Sequence, residues 1–89
     1  LSGIQSTISE IDRAIQAASP RWRLERMPPI DRALLVLGTY ELVIVGARPA
    51  KRIINRTVEL AKRYGAQDSR RFVNGILDQI RKDHGIESS

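Results

Sequence analysis

The sequence has no cysteine and a single histidine, His84. The first absence excludes a disulfide scaffold, a cysteine nucleophile and a thiolate metal site. The second leaves no material for a histidine-rich metal site or a His-dependent triad. No apolar run approaches the roughly 18–20 residues that span a bilayer; none is longer than the six at 42–47. No charged, apolar and cleavable leader pattern opens the chain, so a cytoplasmic protein is expected. The six glycines are dispersed, and none falls in a GxGxxG or GxxxxGKS phosphate loop. No carboxylate pair stands beside a second acid or base. Asp78 and Asp83 read as solvated charges next to Arg81 and Lys82, and His84 suits a helix C-terminus. Neither an enzyme nor a resident metal or cofactor is expected.

What is present describes one small folded unit. The 89 residues are 42% hydrophobic and 28% charged, which argues against disorder and for a single domain over 1–89. A chain that opens on Leu1 in place of Met points to a fragment, or to a protein whose N-terminal part was removed. The formal charge is +5, and it is unevenly spread. Residues 1–45 hold five Lys/Arg against five Asp/Glu, whereas residues 46–89 hold ten against five. Such asymmetry suits a surface facing a polyanion, although a charge of this size also serves plain solubility.

Hydrophobic periodicity predicts four helices and no strand. In the first, over 3–18, Ile4, Ile8, Ile11 and Ile15 recur on one face with Ala14 and Ala18 beside them. Ser19-Pro20 stops it. A loop follows, in which Trp22, Leu24 and Met27 are expected to pin the chain to the core. The second helix, over 29–45, starts with Pro29 in its first turn and Asp31 near the positive dipole end. Only Asp31, Arg32 and Thr39 form a polar strip, so this helix, apolar almost all round, is expected to be buried and central. Glu41, among apolar neighbours, calls for an arginine partner.

The third helix, over 50–64, follows the turn at Gly46-Ala47-Arg48-Pro49. Its expected core arc is Ile53, Ile54, Thr57, Leu60, Ala61 and Tyr64, with Gly65 as its stop. Arg52, Arg56 and Arg63 fall within about 40° of one another at 100° per residue, a basic stripe with Glu59 between them. The fourth, over 69–83, has Asp68 as its expected N-cap and Phe72, Val73, Ile76, Leu77 and Ile80 inward. Residues 86–89 read as a frayed tail. Short connections make the fold class all-α, a compact helical bundle.

Two patterns carry function. Helix, glycine turn and a helix opening on Asp68-Ser-Arg-Arg is how a DNA-binding helix-turn-helix looks, with Arg70, Arg71 and Asn74 left to read bases. The other is a resemblance. Ile30-Asp-Arg-Ala-Leu-Leu, Tyr40-Glu-Leu, Ile54-Asn, Val58-Glu-Leu-Ala-Lys-Arg-Tyr-Gly and Asp68-Ser-Arg-Arg-Phe-Val-Asn-Gly-Ile-Leu resemble the NusB family, in its order and spacing. The resemblance implies a helical, non-enzymatic transcription antitermination factor. It implies pairing with the ribosomal protein NusE on single-stranded boxA-type RNA, within the RNA polymerase antitermination complex. The same module also occurs in front of ribosomal RNA cytosine methyltransferases, where it holds RNA.

By this resemblance Asp68 and Phe72 fall at an RNA surface. Phe72 then offers a face for a base while Arg70 or Arg71 holds phosphate, with Arg52, Arg56 and Arg63 adding charge. Core packing for Phe72 and capping for Asp68 remain the alternatives. Glu25, Arg26 and Asp31 match the NusE-facing region, against plain helix-end electrostatics. Three departures accompany the match. The family's arginine-rich first helix is absent, so 1–20 reads as a connecting helix and 21–89 as the C-terminal helical subdomain. Val36 replaces a usual arginine, and Arg56 a usual glutamate. A half-bundle of this kind is expected to bind RNA weakly and to favour self-association through its uncovered apolar face.

Overall fold

The computed structural model describes residues 2–88, with side chains from Ser6 onward. It is the expected all-helical bundle. The elements are α1 (Ser2–Ala18), a 3₁₀ turn (Leu24–Arg26), α2 (Pro29–Thr39) continued by a π-helical segment (Tyr40–Val45), α3 (Ala50–Tyr64) and α4 (Ser69–Asp83). No strand occurs among the described residues. α4 packs against each of the other three helices, and the core forms where Ile15, Leu35, Leu42, Val73, Leu77 and Ile80 close around it, all but free of solvent.

α1 buries Ile11, Ala14 and Ile15, as its period requires, but Ile8 is exposed; Ile4 lies outside the described side chains. Its end is built by side chains. Ser19 donates its hydroxyl to the Ile15 carbonyl at 2.6 Å, satisfying an acceptor that the broken helix would orphan. Met27 is buried and Leu24 packs against the core, whereas Trp22 is 49% exposed, so only part of the expected anchor reaches inward.

α2 is less enclosed than its apolar circumference predicts. Asp31, Leu35, Gly38, Thr39 and Leu42 are buried, while Ile30, Leu37 and Tyr40 are exposed. Of the polar strip, Asp31 and Thr39 face in and Arg32 stays exposed. A helix apolar almost all round gives hydropathy no face to choose, and backbone approach decides instead. A Cβ on Gly38 would lie 2.8 Å from Leu77 Cδ1, so the glycine side is where α4 comes close. Asp31 Oδ1 and Thr39 Oγ1 are left without hydrogen-bond partners. The π-helical segment ends at Gly46 in the left-handed region, φ 74°, and Arg48 donates to the carbonyls of Leu42 and Ala47 at 3.3 and 2.8 Å. Arg48–Pro49 is a cis peptide.

α3 and α4 begin and end where predicted, with two corrections of detail. Tyr64 is exposed rather than in the core arc. The tail is not frayed: Ile86 is 8% exposed, its N–H donates to the Arg81 carbonyl at 2.9 Å, and its own carbonyl accepts from Arg81 Nη1 at 2.8 Å. The Ser88 carbonyl then accepts from the Lys51 N–H at 2.7 Å, satisfying a free donor in the first turn of α3.

Candidate nucleic-acid interface

The residues after α1 form a rigid ledge. Pro20 cannot continue the helix, and the chain turns back through the Trp22 N–H, which donates to the Ser19 carbonyl at 3.0 Å. Gln16 Nε2 then donates to the carbonyls of Ser19 and Trp22 at 3.1 and 2.6 Å. Trp22 is thereby held through its N–H and its carbonyl, and its indole meets Phe72 edge-on, centroids 5.4 Å apart and planes at 76°. Phe72 is half-buried on α4. Core packing and an accessible edge coexist there. Arg21, Trp22, Arg71, Phe72 and Gly75 line a cleft of about 360 Å³ between the end of α1 and α4.

At the start of α4 the expected side-chain cap is not made, and a serine ties down the preceding turn. Asp68 makes no side-chain capping bond and is exposed, while the buried Ser69 accepts from the Ala66 N–H at 2.8 Å. Gly65 makes room for this. Its backbone is extended rather than left-handed, at φ −93° and ψ −178°, and a Cβ there would lie 2.5 Å from Ser69 Cβ. Arg70 and Arg71 are both exposed, but about 100° apart around α4. Only Arg71 joins the cleft.

The α3 arginines form a separate surface. Ala50, Ile53, Ile54, Thr57 and Ala61 are buried, and Arg52, Arg56, Glu59 and Arg63 point away from them into solvent. Arg56 is engaged: its Nη2 lies 2.7 Å from Glu41 Oε1, which supplies the partner that Glu41 required and lowers the free charge of the stripe. Arg56, Glu59, Lys62 and Arg63 line an open hollow of about 490 Å³ that shares no residue with the cleft. The basic residues singled out in the sequence therefore fall on two surfaces.

Glu25 and Arg26 are exposed on the 3₁₀ turn, but Asp31 is only 4% exposed. The three do not form one accessible patch. No group of three or more His, Asp or Glu suited to a metal occurs among the described residues, and no helix there is long and apolar enough to cross a membrane. Trp22, read in the sequence only as a core anchor, Arg21 and Gly75 are the cleft residues that sequence reasoning did not place at a site. The signal for the first two was visible: the lone tryptophan stands between Arg21 and Arg23 directly after a helix-stopping proline.

Comparison with known proteins agrees with this helical frame. The NusB family model matches residues 1–82. The transcription antitermination protein NusB of Sorangium cellulosum is 46% identical over 83 residues, covering 93% of this chain and 59% of the relative. That of Bdellovibrio bacteriovorus is 46% identical over 86 residues, 94% and 63%. A solved structure of T. maritima NusB superposes with a TM-score of 0.82 at 43% identity, over 92% of this chain and 58% of that one. The chain thus spans about three-fifths of the length of the relatives it matches. By the extent of the family match and the identity of these relatives, the chain belongs to the NusB family.

Proposed function

We propose that this chain acts in transcription antitermination as a non-catalytic, cytoplasmic RNA-binding module, taking single-stranded boxA-type RNA together with the ribosomal protein NusE in the RNA polymerase antitermination complex. The observation that carries this reading is the start of α4. A half-buried aromatic, Phe72, stands beside an exposed guanidinium, Arg71, at the mouth of a cleft, and the Asp68 carboxylate is not spent on capping. An unstacked base needs an aromatic surface, a cation for its phosphate and an acceptor for its amino or 2′-hydroxyl group. These three side chains supply one of each. Arg70, on the adjacent face of α4, and Arg52, Arg56 and Arg63 on α3 add the long-range attraction that raises encounter rates with a polyanion.

Glu25 and Arg26, exposed on the 3₁₀ turn, are the residues offered to NusE, with Asp31 buried in the first turn of α2. The relatives' printed name, transcription antitermination protein, supports the reading. The test is the double substitution Arg70→Ala/Arg71→Ala, followed by anisotropy of a labelled boxA-type RNA over a range of salt. Each phosphate contact on a single strand contributes about 0.7 to the slope of log K against log salt. The double variant is therefore expected to bind more weakly and to lose at least about 0.7 from that slope, the share of the Arg71 contact. Unchanged affinity and slope would refute the assignment.

A further inference from the structure

The cleft contains more than the proposed function uses, and its shape says what fits. Trp22 exposes half its surface although it is the largest side chain in the protein. It is not loose. The Gln16 and Ser19 hydrogen bonds hold its backbone, and the edge contact with Phe72 fixes the indole. Two rings at 76° make a corner: a flat ligand lying on the face of one meets the edge of the other. Arg21 and Arg71 stand on the walls of the same cleft.

Gly75 is the second, independent observation. It sits in the middle of α4, one turn beyond Phe72, where glycine is a poorer helix former than alanine. Packing does not demand it, because a Cβ built there meets nothing within 4 Å. Its missing side chain leaves the floor of the cleft clear beside Phe72. A half-open indole, a clear floor and two guanidinium groups around a shallow, open cleft of about 360 Å³ match the chemistry of a planar, anionic-backed ligand.

We propose that this corner is a nucleobase pocket: one unpaired base of single-stranded RNA stacks on the open indole face of Trp22, Phe72 closes the corner, and Arg21 and Arg71 hold the flanking phosphates. The inference rests on the RNA-binding reading and deepens it, making Trp22 a ligand-touching residue. A base must leave its duplex stack to enter, so the pocket selects single strands over duplex.

The test uses the fact that Trp22 is the only tryptophan. The 89-residue chain is titrated with a boxA-type single-stranded RNA carrying a terminal fluorophore, reading its anisotropy, and separately with the unlabelled RNA, reading tryptophan emission. Both signals are expected to saturate together, with emission quenched by stacking. Base–aromatic stacking predicts that Trp22→Leu weakens binding about 5- to 150-fold. Gly75→Leu, which fills the floor at a site with no packed neighbours, is expected to weaken it as well, and Gly75→Ala to change it little. RNA bound with tryptophan emission unmoved and Trp22→Leu unimpaired would overturn the pocket and leave RNA binding standing. No RNA bound at all would overturn both. Circular dichroism confirms that each variant is folded.

Discussion

Two glycines ten residues apart show how differently the same residue type is used. Gly65 lies where a Cβ would collide with Ser69 Cβ and the Ala61 carbonyl, neither of which is a flexible side-chain end. Gly65→Ala is expected to destabilise the protein by about 1–3 kcal/mol, as overpacking does. Gly75 has open space around it, and Gly75→Ala is expected to stabilise by about 0.5–1 kcal/mol through helix propensity alone. Urea midpoints at constant m-value check both signs. Asp78 carries the pH dependence that the ion pairs predict. The hydrogen bond from Arg81 at 2.9 Å, helped by Lys82 at 3.3 Å, holds its carboxyl below the usual value of 3.8. A depressed carboxylate pKa stabilises the fold above the unfolded value and is lost as pH falls through the folded one. Stability is therefore expected to decline below about pH 4, and Asp78→Asn to flatten that decline by a few tenths of a kcal/mol for a half-exposed pair. At this scale Glu41's need for an arginine was legible, because a carboxylate among apolar residues must be paired. That Asp68 would leave its capping bond unmade while Ser69 holds the Ala66 N–H was not, since both are good capping residues and only the Gly65 approach separates them.

At the scale of the element, legibility followed the signals at the ends. Pro49, Gly65 and the Asp68-Ser69 pair mark the bounds of α3 and α4, and their one-sided apolar periods set the buried faces. α2 lacked such a contrast. With apolar residues all round, the periodicity located a helix but not its orientation, and the close approach of Gly38 to Leu77 settled it. The tail was missed for a related reason: nothing local in residues 86–88 announces a hydrogen bond to Lys51, which lies more than thirty residues earlier. The orientation of α2 makes a sharp prediction. Leu35→Ala, at 0% exposure, is expected to cost about 2–5 kcal/mol. Leu37→Ala, two residues on and 44% exposed, is expected to stay within about 0.5 kcal/mol at concentrations where the chain is monomeric. Equal losses in urea unfolding would mean that the helix is turned the other way.

The whole molecule exposes more surface than its mass requires. A folded monomer of 10.0 kDa is expected to expose about 5,200 Å², and this chain exposes 6008 Å². The excess is close to one partner's share of a standard interface, about 800 Å². The exposed side of α2 suggests where it lies. Ile30, Ala33, Leu37, Tyr40 and the half-buried Ile44 follow the alternating three- and four-residue spacing of a helix-pairing seam. A second copy of the chain is the occupant that the expected self-association through an uncovered apolar face predicts for such a seam. Sedimentation equilibrium is expected to show concentration-dependent dimerisation that Leu37→Asp abolishes; a monomer at all concentrations would contradict it.

The central claim is that this surface takes single-stranded RNA, and its most direct test is comparative binding. Anisotropy of a boxA-type single-stranded RNA and of a DNA duplex, at low and moderate salt, with and without NusE, separates the alternatives. The account predicts that the single strand is preferred, that its affinity falls steeply with salt, and that NusE sharpens the preference. Preference for the duplex, or capture of NusE with no RNA bound by either form, would contradict it.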